Sequence, residues 1–353
     1  MSQISGIVLL LTLLSTFVSS IPFKTIDQPS ENVGLHTTYL FPNLTWVENL
    51  AVRSNGRILV THLQEPEVLQ IDSQAGPVTA ELIYRFPNAL GVSGIAEYAP
   101  NVFAVNVGNF SLQTLEAETG SYSVWNIDMS DCDYDGEAAH VEKVVNLAEA
   151  RLLNGKVALP ARPSIVLLAD SVAGVIWSLN TTTKAYSIAI QNPYLSANQS
   201  APAVFGVNGL RFAPGDNEHL YFTNTFRHPI LSRIPIDPLT GHQTGHVEVI
   251  VNEPLLDDIA PDDLAIDAEG RYAYVTSTSH QLLRITIPSG KTEIVAGEPE
   301  TRVLPGPTSA QFGRTKGDVE RGRLYISTNG GLAAPPEGGI VGGGVYAIDT
   351  IDL

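Results

Sequence analysis

The stretch VFGVNGLRFAPGDNEHLYFTNTF, residues 204–226, decides how the chain is read. Two short apolar runs flank a polar hairpin, and the pair Asn208-Gly209 stands directly before the first strand. Asn-Gly ordinarily serves a tight turn, because glycine accepts positive φ and Asn bonds to its own backbone. Here it opens a strand, so the pair needs another explanation.

The pattern recurs along the chain. VENLAVRSNGRILVTHL from Val47, VSGIAEYAPNVFAVNVG from Val92, LNGKVALPARPSIVLLADS from Leu153, PDDLAIDAEGRYAYVTSTS from Pro261 and PTSAQFGRTKGDVERGRLYISTNGG from Pro307 repeat it. Each unit has a polar pair, an alternating strand, a turn, a second apolar strand and a small polar residue at its end. A third strand follows in every unit (EVLQID, YSVWNID, GVIWSLN, ILSRIPID, LLRITI, GVYAID) and a fourth in all but the last. The missing outer strand is supplied by TTYLF, residues 37–41. The chain is therefore predicted to be all-β: a six-bladed β-propeller, four antiparallel strands per blade, closed by an N-terminal strand in the last blade. Closure of this kind leaves no open ends to the array.

The rest of the composition agrees with one such domain over residues 21–353. No low-complexity linker divides the 353 residues, and 44% hydrophobic residues can fill a large core. The apolar run at residues 7–14 is too short for a bilayer, and Val18 and Ser20 suit a signal-peptide cleavage after residue 20. Sequons at Asn43, Asn109, Asn180 and Asn198 agree with a glycoprotein that is secreted or held in the secretory-pathway lumen. Cys132 is the only cysteine, so no intramolecular disulfide can form. A net charge of −17 argues against nucleic acid and anionic membrane partners, and no membrane span is expected.

In a propeller the inner strands line a central channel, so the first residue of each stands at one mouth. Aligning the units places Glu48, Ser93, Asn154, Asn208, Asp262 and Thr308 there. The second strands end at the same mouth with His62, Asn106, Asp170, Asn224, Thr278 and Asn329. Asn208 is thus expected in a polar ring. Carboxylates and amides converging on an axis are hard oxygen ligands of the type that holds Ca²⁺, and they equally suit the hydroxyls and carbonyls of an organic ligand. Trp46, Phe110, Phe205 and Phe226 are placed near the mouth as an apolar shelter.

At these residues the chain resembles the gluconolactonase-like, or SMP-30, propellers. The match is carried by Glu48 in WVENLAV, Asn154 in LLNGKV, Asn208 in GVNGLRF and Asp262 in APDDLAI. The resemblance implies a divalent cation held by these four residues, with Asp262 as the general base of lactone hydrolysis. Two departures stand out: the usual Glu-Gly-Pro is Glu-Asn-Leu, and the glycine after the Asp is Asp263. GPTSAQFGR, LYISTNGG and the Gly-rich final hairpin look like a fungal secreted branch that includes the hetero-Diels-Alderases of tropolone sesquiterpenoid biosynthesis. That likeness implies a cyclase of secondary metabolism, an isomerase-like enzyme joining a tropolone o-quinone methide to a terpene alkene. It would need no cofactor, with Asn208, His62 and Asp262 as catalytic residues and Trp46, Ser93, Asn106, Phe110, Asp170, Phe205, Asn224, Phe226 and Thr308 contacting a small natural-product substrate.

Two alternatives remain open at this level: a Ca²⁺-dependent lactonase and a non-catalytic binding propeller. DCDYDGEAAHVE, residues 131–142, also fits the D-x-D-x-D-G-x5-E spacing of a calcium loop. Its flanks read as strands, so an acidic hairpin is expected instead. No GxSxG or HExxH motif is present.

Overall fold

The structure is a computed structural model that describes residues 34–353 apart from 75, 133–137, 199–200, 202, 227–228, 252–258 and 300. The signal segment and its cleavage point fall outside the described residues, as do residues 133–137 of the acidic loop. Six four-stranded antiparallel sheets form six blades. Blade 1 contains β2 (Val47–Val52), β3 (Ile58–His62), β4 (Glu67–Asp72) and β5 (Thr79–Arg85). Blade 2 contains β6 (Gly91–Ala99), β7 (Val102–Gly108), β10 (Ser123–Asp128) and β11 (His140–Asn146), with a small ribbon, β8 (Phe110–Ser111) and β9 (Glu116–Ala117), in between. Blade 3 is β12 (Leu153–Leu159), β13 (Arg162–Asp170), β14 (Val175–Asn180) and β15 (Tyr186–Gln191). Blade 4 is β16 (Val207–Phe212), β17 (His219–Asn224), β18 (Leu231–Pro235) and β19 (Glu248–Val251). Blade 5 is β20 (Pro261–Ile266), β21 (Tyr272–Ser277), β22 (Gln281–Thr286) and β23 (Thr292–Ala296).

Blade 6 closes the ring. Its inner strands β24 (Pro307–Phe312), β25 (Arg323–Thr328) and β26 (Gly342–Asp349) come from the end of the chain, and its outer strand is β1 (His36–Asn43). β1 pairs antiparallel with β26, so the expected closure by the N-terminal strand is what the structure shows. A short helix, α1 (Lys316–Arg321), joins β24 to β25 and is set by a Thr315–Asp318 capping box. Among the described residues, no helix is long and apolar enough to cross a membrane.

Burial falls from the axis outward. β2 and β20 are buried at every position, whereas the outer β5 alternates between exposed and half-buried. An inner strand is covered on both faces by neighbouring blades, which buries even its polar pair, Glu48 and Asn49 in β2 and Asp262 and Asp263 in β20. The core itself divides into six apolar clusters, one at each blade interface. Leu210, Phe222, Leu167 and Ile176 fill the interface of blades 3 and 4, for example, and Phe41, Val60, Tyr325 and Val345 fill that of blades 6 and 1. Burying each such side chain stabilises the fold by about 1.5–3 kcal/mol, so the closing interface is built like the other five.

Candidate functional site

All six inner strands slip by one residue against their partner at the same level. The pairing jumps between Val47 and Asn49, Val92 and Ile95, Leu153 and Lys156, Val207 and Leu210, Pro261 and Leu264, and Pro307 and Ser309. Each jump is a β-bulge, which carries an unpaired residue and re-aims its side chain. The residues at the bulges are Glu48, Ser93, Asn154, Asn208, Asp262 and Thr308, the ring aligned from the repeats. The glycine of Asn208-Gly209 now has its reason. A Cβ on Gly209 would stand 2.3 Å from Asp263 Oδ1, and one on Gly155 would stand 2.4 Å from the Asn208 carbonyl oxygen. Gly94 likewise meets the Asn154 carbonyl oxygen at 2.1 Å. Glycine serves here for close approach of neighbouring inner strands rather than for a turn.

One residue deeper, the two halves of the channel differ. Gly94, Gly155 and Gly209 leave one half without side chains, and Asn49, Asp263 and Ser309 fill the other. Asp263 Oδ2 accepts from Ser309 Oγ at 2.7 Å, Asn49 Nδ2 at 3.2 Å and Arg211 Nη2 at 2.8 Å. Asp263 Oδ1 accepts from the Leu264 amide at 2.8 Å. The aspartate that replaces the expected glycine is therefore a buried plug in the neck of the channel.

Above this neck lie Glu48, Asn208 and Asp262, all buried. Burial is the main cause that pushes the Glu48 carboxyl up to about 7; the Trp46 indole N–H, 2.5 Å from Oε2, pulls it down, and the Asp263 charge adds to the rise. Asp262 is raised well above the usual carboxylate range by burial, then by the charges of Glu48 and Asp263, and is partly relieved by a hydrogen bond from Asn208. Asn208 Nδ2 also donates to Thr225 Oγ1 at 3.0 Å, while its Oδ1 is buried without a hydrogen-bond partner. Two repelling carboxyl groups and an orphaned amide oxygen can be satisfied by protons or by a hard cation. Among the described residues, no group of three His, Cys, Asp or Glu could hold a metal ion, so a cation here would depend on amide oxygens.

Several other ring residues are engaged by the fold. Ser93 Oγ donates to the Leu153 carbonyl at 2.6 Å and Thr308 Oγ1 to that of Val47 at 2.7 Å. With Thr61 to Ser93, Ser171 to Val207, Thr223 to Asp262 and Thr276 to Thr308, these bonds staple each blade to the next. Asn106 Nδ2 donates to the Asn154 carbonyl at 2.7 Å. Asp170 accepts from the amides of Arg151, Leu152 and Ala173 and from the Trp177 indole, which occupies both its oxygens. Asn224 clamps the carbonyls of Tyr194 and Ser196, and Asn329 Oδ1 accepts from the Gly331 amide. Thr278 donates its amide to the Ala260 carbonyl. His62 packs edge-on against Phe41, with ring centroids 4.8 Å apart, and its Nε2 is buried without a partner. Desolvation lowers its pKa to about 4, so it is neutral at ordinary pH.

The expected aromatic residues come together as a wall. Phe205 stacks on Phe226 at 6.1 Å and meets Phe110 edge-on at 5.9 Å, and all three are half-buried. The Phe226 and Thr225 amides donate to the carbonyls of Phe205 and Gly206, which holds the wall beside Asn208. Trp46 is spent on Glu48. Tyr122 was missed by the repeat pattern, because it opens a third strand and looks like one more alternating aromatic. It lines a shallow recess with Ser93, Gly108 and Phe110, and the charges of Asp170 and Glu48 reinforce the burial that raises its hydroxyl pKa. Of the sequons, Asn43 and Asn198 are exposed; Asn109 Nδ2 donates to Glu118 at 2.7 Å, and Asn180 Oδ1 caps the turn at Thr182 and Thr183.

No family model matches the chain. A Sarocladium schorii protein provisionally named hetero-Diels-Alderase is 28% identical over 340 residues, 88% of this chain and 82% of that protein. A Phoma protein of the same provisional name is 28% identical over 339 residues, 88% of this chain and 89% of its own length. Among solved structures, the luciferin-regenerating enzyme superposes with a TM-score of 0.61 at 15% identity, covering 90% of this chain and 95% of its own. The calcium-binding protein regucalcin of Agrobacterium tumefaciens gives 0.57 at 15% identity, covering 90% and 93%. A gluconolactonase of Xanthomonas campestris gives 0.57 at 16%, covering 89% and 88%. At such identities the structural likeness speaks for the fold alone. The chain is a six-bladed β-propeller, a fold it shares with regucalcin and a gluconolactonase, and is similar in sequence over most of its length to proteins provisionally named hetero-Diels-Alderase.

Proposed function

We propose that the protein is a cyclase of the hetero-Diels-Alderase type, joining a tropolone-derived o-quinone methide to a terpene alkene in secondary metabolism. The observation that carries this reading is a channel mouth that combines two buried carboxyl groups, Glu48 and Asp262, with an aromatic wall of Phe110, Phe205 and Phe226 beside Asn208. The sequence likeness to two proteins of that name supports it.

The chemistry divides into two steps. In the first, a hydroxymethyl-tropolone loses water: a mouth carboxyl gives its proton to the leaving hydroxyl and the ring O–H returns one, so the acid is regenerated. In the second, the oxadiene and the alkene form one C–O and one C–C bond without moving a proton. The protein contributes orientation there, and hydrogen bonds from the neutral carboxyl groups, with Asp262 held by Asn208, polarise the diene oxygen. The aromatic wall excludes water and packs the terpene. The measurement that tests this is product formation from a hydroxymethyl-tropolone and a terpene alkene, followed by chiral separation. An enzyme-dependent single stereoisomer is expected; the same rate and isomer ratio as in buffer overturns the reading.

A second reading, a Ca²⁺-dependent lactonase, is favoured by the orphaned Oδ1 of Asn208, whose amide bonds to Asp262, a buried carboxyl group that also feels the charge of Glu48. Glu48, Asn208 and Asp262 fit a hard cation, with Asn154 at the same level in blade 3. Bound there, a cation would polarise a lactone carbonyl. Calcium-dependent opening of sugar lactones, with no effect on the cycloaddition, would put this reading first. Absence of both activities would leave a binding propeller.

A further inference from the structure

Tyr122 stands directly before β10, at the mouth end of blade 2. Ser123 pairs with Val107, so the same register sets Tyr122 beside Gly108, which in turn pairs with Gly91 of the inner strand β6. The phenol ring lies on that glycine: a Cβ on Gly108 would stand 2.5 Å from Tyr122 Cδ1 and Cε1. Gly108 thus has no side chain where the ring crosses the end of β7 toward the axis. The ring ends at a shallow recess that Tyr122 shares with Gly91 and Ser93 of the inner strand and with Phe110 of the aromatic wall.

The body of this side chain belongs to the core. Only 2% of the residue is exposed, and it sits in the apolar cluster that also holds Val124, Leu147 and Leu152. The hydroxyl differs from the body. Among the described residues it has no hydrogen-bond partner, yet it is not sealed from the surface as the orphaned Nζ of Lys156 is. Its neighbours are already engaged, Ser93 Oγ by the Leu153 carbonyl and Asp170 by three amides and the Trp177 indole. A buried tyrosine normally finds a partner for its O–H, so an open and unpaired one at a mouth points to a ligand. The charges of Asp170 and Glu48 both reach this hydroxyl, so an anion is repelled there and a neutral oxygen acceptor fits.

We infer that Tyr122 is a substrate-contacting residue, donating its hydroxyl hydrogen to a neutral carbonyl oxygen on a flat conjugated ring that lies across the recess. The inference rests on the cyclase reading and adds an orientation to it. The recess is too shallow to enclose a ring, so only the oxygen reaches in, while the ring lies against Phe110 and the alkene half of the substrate against the stacked Phe205 and Phe226. The donated bond fixes which face of the oxadiene meets the alkene and adds to the polarisation of the diene oxygen.

The test uses tropone, a seven-membered ring with one carbonyl oxygen and no proton to give, and cycloheptatriene, which lacks the oxygen. Calorimetric titration of the full chain should show tropone bound about three- to tenfold more tightly by wild type than by Tyr122→Phe, the scale of one neutral hydrogen bond. Difference infrared spectra should show the tropone carbonyl stretch lowered on wild type and not on Tyr122→Phe, whose ring still fills the place over Gly108. Cycloheptatriene should bind both proteins alike. Equal tropone affinity of the two proteins, an unshifted stretch on wild type, or no binding at millimolar tropone overturns the inference. The cyclase reading is judged separately, by product formation with wild type. Tyr122-dependent tropone binding with product formed only at the rate in buffer overturns that reading and leaves the donor standing; wild-type turnover with unchanged tropone affinity in Tyr122→Phe overturns the role of Tyr122 alone.

Discussion

Arg211 Nη2 stands 2.8 Å from Asp263 Oδ2, and this ion pair joins the neck beneath the polar mouth to a cavity behind it. The arginine side chain is 17% exposed and the aspartate 1%, so the aspartate cannot fall back on water.

Asp263→Gly, which restores the residue expected after Asp262, should therefore destabilise the fold by about 3 kcal/mol, the cost of leaving one partner of a buried pair. Asp263→Asn keeps hydrogen-bonding capacity toward Ser309 and the Leu264 amide and should lose less. Urea denaturation of the two variants checks the order; equal stability of Asp263→Gly and wild type would refute it.

Stability should depend on pH through the mouth carboxyls. Glu48 holds its proton to about 7 in the fold but only to its ordinary 4.5 when unfolded. The native state thus binds more protons between those values, and stability falls as pH rises through that window, by at most about 3 kcal/mol for this group. Asp262, also raised, acts in the same direction. Glu48→Gln should flatten the fall and raise the melting temperature above that of wild type at pH 8. Added calcium should raise the wild-type value at pH 8 and leave Glu48→Gln nearly unmoved if the mouth holds a cation.

His62 acts with the opposite sign. Its folded pKa of about 4 lies below its ordinary 6.5, so the unfolded chain binds more protons between them and stability falls as pH drops through that range. His62→Gln should remove this acid-side loss in thermal melts between pH 4 and 6.5.

For the proposed cycloaddition, Asn208→Ala should lower kcat/KM, because it removes the amide that holds the Asp262 carboxyl at the mouth. Phe205→Ala leaves that carboxyl in place and should mainly erode the stereoisomer ratio. Chiral chromatography of single-turnover products distinguishes the two. Unaltered rate and ratio in both variants would remove the mouth from the mechanism.

Glycans are expected at exposed Asn43 and Asn198 before Asn109, whose Nδ2 is already given to Glu118. Peptide mapping of protein produced through a secretory pathway checks this; occupancy at Asn109 alone would contradict it.

The ring around Asn208 was legible because six repeats mark the same position, and alignment of repeats carries register without any side-chain geometry. What the polar residues do there was not legible. Ser93 and Asn208 look alike in sequence, yet Ser93 is spent on the Leu153 carbonyl, while Asn208 keeps an unpaired oxygen at the axis. The same bulge occurs in both strands, so these outcomes are separated by the partner each side chain meets, the carbonyl of the next blade for Ser93 and Thr225 Oγ1 for Asn208. Asp170 reads as a mouth ligand, but the backbone amides of Leu152 and of Ala173 in the following turn claim it. Lys156 sits two places after Asn154 in a strand whose polarity suggested nothing, and its burial without a partner emerges only when blades 2, 3 and 6 meet around it.

The pairing of β1 with β26 carries a consequence for biosynthesis. The strand that leaves the ribosome first must wait for the strand that leaves almost last, so every earlier blade can form while the ring is still an open arc with two unprotected edges. During that interval the nascent chain depends on whatever shields those edges, and its vulnerability ends in one event. Removing either partner strand should produce the same failure, a protein that accumulates as an unclosed arc rather than as a propeller with one weakened blade.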